Sequence, residues 1–385
     1  MSAFLAALSF ATVAFAQQDS EPESAEAFLR RGMSRFEAGD LDGALVDFDR
    51  VVQLNPRNGS AYTVRGHVRA AMGASREAIQ DFDRALSLDP GLVDAYLGRA
   101  DARRSLDDRK GAIQDYDAIL ALEPRNLSAL CGRGSALEEK GDLDGAIADY
   151  ARAIEIDPLD SRSRELRGDA RRRKGDLEGA VADYAAILTL DPRNLSALCG
   201  RGSALAEKGD LDGAIADYAR AIEIDPRDSW PRELRGDARR GKGDLEGAIA
   251  DYTASIEIDP SRPGAYLSRA EALVDRGDLD AAIVDCDRAV ELDPVRATSY
   301  SSRGMIRAEN GDLEGAISDQ TRAIEIDPAN ADFYAVRGEL RHRAGDLEGA
   351  VADHRRALEI APEARWAEKV RGKLARAEDE LRARR

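Results

Sequence analysis

Along most of the chain, apolar residues recur every three or four positions, and the stretches that show this pattern come in pairs. In residues 127–160, SALCGRGSALEEKG and LDGAIADYARAIEID both follow the rule, which is the period of a helix with one buried face. Two antiparallel helices are predicted. Gly141 suits the left-handed backbone that closes the first, and Asp142 suits the N-cap of the second. An acid follows at Asp144, where it meets the positive end of the helix dipole. Pro158 keeps the residue before it out of helical geometry, so the second helix is expected to stop at Asp157.

The same unit returns. Pro56, Pro90, Pro124, Pro158, Pro192, Pro226, Pro260, Pro294, Pro328 and Pro362 stand 34 residues apart without insertion or deletion, so one structure is copied ten times over residues 25–364. With the proline at position 32 of each repeat, position 20 is always Ala and position 8 is Gly except for Ala100 and Ala270. These small residues mark close helix contact. Position 24 carries Phe48, Phe82, Tyr116, Tyr150, Tyr184, Tyr218 and Tyr252, then Cys286, Gln320 and His354, where looser packing is expected. Arg stands at position 7 and Asp at position 23 in every repeat, from Arg31 and Asp47 to Arg337 and Asp353. The expected role is structural, the arginine of one first helix pairing with the aspartate of a neighbouring second helix to fix the stacking register; recognition by the same arginine ladder is the alternative.

This pattern resembles the tetratricopeptide repeat family, whose unit carries a large residue at 4, Gly at 8, Ala at 20, an aromatic at 24 and Pro at 32. The resemblance covers 340 of the 385 residues. It implies an all-α fold, a right-handed superhelical solenoid of antiparallel helix pairs whose first helices line a concave groove for peptides or proteins. The chain departs from the family at positions 7 and 11, where Arg replaces the usual Leu and Tyr in all ten and in seven repeats respectively.

On that resemblance positions 2, 5, 9 and 12 face the groove. Repeats three, five and seven place Asp101 with Arg104, Asp169 with Arg172, and Asp237 with Arg240 at positions 9 and 12. Two readings stay open: a row of guanidinium groups gripping an acidic, extended partner, or i,i+3 ion pairs on a solvated face. Trp230, at position 2 of repeat seven, is either a binding anchor or a cover for its own helix end beside Pro231. Some family members clamp a C-terminal carboxylate with Lys and Asn at these positions, and this chain has neither there.

Composition changes the picture in two ways. A content of 43% hydrophobic and 34% charged residues suits an array that buries surface between neighbouring repeats, and the net charge of −17 weighs against nucleic acid and anionic membrane as partners. Residues 1–16, MSAFLAALSFATVAFA, are either an export signal cleaved before Gln17 or a retained hydrophobic stub without Lys or Arg. The first predicts an exported protein of a bacterium, periplasmic or secreted, the second a cytoplasmic one; the run is too short to span a bilayer. Residues 17–24 form a polar lead-in. Residues 365–385 space Trp366, Val370, Leu374 and Leu381 along one face of a capping helix.

Little in the chain points to chemistry. Cys131 and Cys199 share a repeat position two repeats apart and are expected to be free, and Cys286 is expected to fill core volume. His67, His342 and His354 are scattered. GRGSAL at 132–137 and 200–205 lacks the third glycine and preceding strand of a phosphate loop, and the GDLDG stretches are helix caps rather than calcium loops. No cofactor, metal site or catalytic residue is expected. The chain is therefore expected to be a non-enzymatic scaffold for a protein or peptide. Its rivals are a self-assembling structural protein, whose groove is filled by a second copy, and a regulatory subunit of an enzyme complex. Repeats four and six differ only at Glu138 against Ala206 and Leu159 against Arg227, so a pair of repeats was duplicated.

Overall fold

The computed structural model describes residues 24–384. Those residues contain helices and no strand, and they divide into two units, one ending at Lys174 and one beginning at Gly175. The first unit runs from Ala25–Glu37 to Ser161–Lys174, and the second from Leu177–Leu190 to Ala367–Arg384. Residues 1–16 and the lead-in up to 23 lie outside the described residues. Within each unit, consecutive helices pack side by side.

The turn inside each repeat follows from three residues. Position 15 adopts left-handed backbone throughout, with φ of 80 to 94° at nine glycines and 65° at Asp107, the one repeat without glycine. Position 16 is usually Asp, whose carboxylate accepts from the backbone N–H three residues on, as in Gly145 N–H to Asp142 Oδ1 at 2.9 Å. Glycine at position 19 lets the carboxylate lie close over the helix start. A Cβ on Gly43 would sit 2.1 Å from the Asp40 carboxylate, and where Ala281 replaces the glycine, Asp278 makes no capping bond and pairs with Arg276. Second helices end one residue before the expected stop, at Ile156 in repeat four.

The core is a string of small clusters, each shared by one repeat and the next. Tyr116, Ile119 and Leu120 of repeat three pack with Leu130 and Ala136 of repeat four, for example. In repeats four and seven the position-24 ring lies against position 8 of its own repeat: a Cβ on Gly134 would come within 2.6 Å of Tyr150, and one on Gly236 within 2.6 Å of Tyr252. Such contact leaves no room for a larger residue, and overpacking there costs about 1–3 kcal/mol.

At the end of the array, where looser packing is expected, the difference is not one of coverage. Cys286, Gln320 and His354 are as buried as the rings they replace, each 0% exposed. The deficit is polar instead. Gln320 Nε2 donates to Ser301 O and shares a 3.0 Å contact with Ser301 Oγ, but Gln320 Oε1 and both His354 ring nitrogens have no hydrogen-bond partner. The three cysteines are free, and burial pushes the Cys286 thiol up to about 12.

The C-terminal helix Ala367–Arg384 covers repeat ten with Val370 and Ala377, and Leu374 packs against Ala350 and Val351. Trp366 precedes it, and Leu381 is only partly covered.

Candidate functional site

Each first helix turns two faces to its surroundings, and the arginines at positions 7 and 11 hold one of them. Arg133 grips Asp149 with two bonds, Nε at 2.7 Å and Nη2 at 2.6 Å. The two residues belong to the same repeat, so the Arg–Asp pair closes a helix hairpin rather than linking neighbours. The expected pairing of position 7 with position 23 of a neighbouring second helix is present, but that helix is the one in the same repeat, so the pair does not itself fix the register of the stack. The link between repeats comes from the third nitrogen: Arg133 Nη1 reaches Asp117, position 25 of the preceding repeat, at 2.5 Å.

Arg65, Arg99 and Arg303 bridge in the same way, to Asp81 and Asp49, Asp115 and Asp83, and Asp319 and Asp287. Arg269 and Arg337 use Thr253 and Thr321 instead, at 3.0 and 3.1 Å. Among the described residues Arg201 and Arg235 hold only the aspartate of their own repeat, Asp217 and Asp251, and Ala185 and Ala219 stand at position 25. The position-23 carboxylates named here are at most 4% exposed, and such charges need this density of hydrogen bonds to be tolerated. The bond to Asp149 holds the Arg133 guanidinium above its ordinary pKa, and the bond to Asp217 does the same for Arg201.

Two further layers support the pair. In repeats one, two, three, seven, nine and ten the Arg at position 11 also reaches the position-23 carboxylate, as Arg307 does to Asp319 at 2.9 Å. Where position 4 is aromatic its ring lies under the position-7 guanidinium, 5.4 Å from Arg99 for Tyr96 and 5.5 Å from Arg303 for Tyr300.

The opposite face carries the residues expected to meet a partner. Asp101 and Asp237 accept hydrogen bonds from the buried ring hydroxyls of Tyr116 at 3.1 Å and Tyr252 at 2.6 Å. Burial pushes the Asp237 carboxyl up, and burial pushes the Tyr252 phenol up as well. Arg104 turns to Glu139 of the next repeat, and Arg240 to Asp275 at 2.5 Å and to Glu271. These arginines thus cross to the following repeat rather than pairing with the aspartate three residues back. Asp169 and Arg172 of repeat five are likewise engaged within the protein. Trp230 is 48% exposed, with the Arg262 guanidinium 5.5 Å from its ring centroid.

Two hollows lie on this face in the second unit. One, of about 370 Å³, is bounded by Asp237, Arg240, Gly241 and Asp275. The other, of about 430 Å³, is lined by Met305, Ala308, Ala335, Val336, Leu340 and Val370, with Trp366 at its edge. Met305, Ala308 and Ala335 occupy positions 9, 12 and 5 of repeats nine and ten, and Val370 belongs to the C-terminal helix. Around this apolar floor stand Asp332, Glu339, Arg343, Lys369 and Lys373. Lys373 is tied to Glu339 at 2.9 Å and Arg343 to the Ala308 carbonyl at 3.0 Å, while Asp332 and Lys369 make no ion pair among the described residues. Sequence reasoning did not single out this hollow, because its wall comes from the C-terminal helix, whose docking angle no repeat pattern encodes.

A family model described as tetratricopeptide repeat matches residues 5–59, 29–93, 97–161, 166–229, 233–297, 269–331 and 301–365. The chain belongs to the tetratricopeptide repeat family. Its fold is similar to that of a tetratricopeptide repeat protein from Parabacteroides merdae, at 19% identity and a TM-score of 0.52 over 66% of this chain and all of that one. Lower similarity extends to the APC/C hetero-tetramer Cut9–Hcn1, at 16% identity and a TM-score of 0.48 over 92% and 83% of the two chains. Yeast Tom70 matches at 16% identity and a TM-score of 0.45 over 93% and 96%. No curated protein matches the chain.

Among the described residues no helix of this tetratricopeptide repeat protein is long and apolar enough to cross a membrane, and no group of three or more His, Cys, Asp or Glu side chains is placed to hold a metal ion.

Proposed function

We propose that this protein is a non-enzymatic interaction scaffold that holds a peptide or protein segment against the first-helix face of its repeats. The supporting observation is the hollow of repeats nine and ten. It joins an apolar floor to unpaired charges of both signs at Asp332 and Lys369, the combination that takes an apolar side chain and orients the polar backbone around it. Further weak contacts along other first helices would add to this anchor, so that affinity grows with the number of repeats engaged. Export directed by residues 1–16 belongs to the same reading and places the partner outside the cytoplasm.

Filling the hollow tests the reading. With residues 17–385 as bait on an envelope fraction, Ala335→Trp is expected to lose the captured partner while the melting temperature is unchanged. Capture equal to that of the unaltered bait would contradict the assignment.

A further inference from the structure

We propose that Arg201 and Arg235 form a pair of carboxylate-binding sockets for an acidic polypeptide segment, on the face opposite the one described above. Position 7 lies about 200° around the helix from positions 5 and 9, at roughly 100° per residue, so whatever meets it approaches beside the second helices. The protein itself supplies the template. In repeats two, three, four and nine the Nη1 arm of the position-7 arginine holds an aspartate at 2.5 to 2.8 Å. In repeats six and seven Ala185 and Ala219 stand where that aspartate would be, and the same arm of Arg201 and Arg235 has no partner among the described residues.

Both guanidiniums are already oriented, each fixed by two bonds to a buried aspartate, so a carboxylate arriving there meets donors that need no reordering. Both side chains remain open to solvent, at 23% and 20% exposure. In repeat seven Arg239 also reaches Asp251, at 2.8 Å, which leaves two arginines around one carboxylate and a local positive charge. Repeat six has Leu205 at that position and a neutral socket. The two sockets sit on consecutive repeats, so the matching ligand is one chain bearing carboxylates that span a repeat step. The chain's net charge of −17 resists acids elsewhere on its surface and confines such a segment to these points.

The test supplies the missing aspartates. Binding of a fluorescein-labelled deca-glutamate peptide at low ionic strength is followed by anisotropy for the unaltered protein, for the double variant Ala185→Asp with Ala219→Asp, and for Val46→Asp with Val284→Asp. The last pair adds the same charge at sites 66% and 65% exposed, in the second helices of repeats one and eight. The socket variant is expected to bind about tenfold more weakly or worse, the loss of two charge-assisted bonds, with a melting temperature no lower than that of the unaltered protein. The surface variant is expected to bind nearly as well as the unaltered protein. Equal weakening in both variants, or no binding of the peptide by the unaltered protein, overturns the proposal. Ala335→Trp is expected to leave deca-glutamate binding untouched, which separates this site from the hollow.

Discussion

Repeats six and seven and repeats eight to ten share one unit, one helix pair and one Arg–Asp lock, yet they are supported from different sides. In repeats eight to ten, Tyr266, Tyr300 and Tyr334 lie 5.5 to 5.9 Å from the position-7 guanidiniums, and Thr253, Asp287 and Thr321 of the preceding repeats take the remaining arm. Repeats six and seven have Leu198 and Arg232 in place of the tyrosines and alanines in place of the oxygen acceptors. At position 24 the contrast reverses: Tyr218 and Tyr252 fill the core of six and seven, while Cys286, Gln320 and His354 fill that of the last three repeats with polar or smaller groups. One backbone geometry is thus reached either with an aromatic plug inside the hairpin or with an ion lock strengthened outside it.

Removing the central carboxylate should break the comparison most sharply. Asp319 holds both Arg303 and Arg307 and is 3% exposed, so Asp319→Ala is expected to cost about 3–5 kcal/mol, the penalty for a broken buried pair. Asp217 holds Arg201 alone, and Asp217→Ala is expected to cost clearly less. Urea unfolding monitored by circular dichroism compares the two.

The polar plug at the end of the array predicts a pH effect confined to that end. His354 is fully covered, and burial lowers its pKa from 6.5. The charged and titratable groups around it are Lys373 of the C-terminal helix, Glu339 and His342 of the preceding helix, and Asp353 beside it. Below its ordinary pKa the unfolded chain takes up a proton that the folded one refuses. Its contribution is therefore complete above about pH 6.5 and is lost as the pH falls, by up to about 1.4 kcal/mol per pH unit. Melting curves at pH 7.5 and 5.5 should converge in His354→Tyr, which restores the plug of repeats three to seven.

The smallest effect is a gain. Ala219→Asp gives Arg235 the partner that Arg303 finds in Asp287 and is expected to add about 0.5–1 kcal/mol, as for a partly exposed ion pair. Hydrogen exchange in Leu211–Ile224 and Trp230–Lys242 should slow together.

Much of this was legible in the sequence, because the period repeats every local constraint. The left-handed glycine at 15, the capping aspartate at 16 and the helix stop before proline need only neighbouring residues. The Arg–Asp pair was visible as two invariant columns, but its partner assignment depends on which second helix lies nearer. The bridging role of position 25 left a signal that could have been found: alanine at Ala151, Ala185 and Ala219 is followed by a non-aromatic residue at position 4 of the next repeat, Arg164, Leu198 and Arg232, whereas Asp49, Asp83 and Asp287 precede Tyr62, Tyr96 and Tyr300, with Asp117 before Leu130 the exception. The bonds of Arg104 and Arg240 could not be read for a different reason. Their partners Glu139 and Asp275 lie 35 residues on, a contact created by stacking and invisible to a helix wheel.

A position-25 oxygen couples consecutive repeats through the position-7 arginine. A double-mutant cycle on Asp287 and Arg303, with leucine for the arginine and alanine for the aspartate, measures that coupling directly. A favourable interaction of about 0.5–1 kcal/mol is predicted; a coupling indistinguishable from zero would mean that the bridge seen at 2.6 Å does not hold the repeats together.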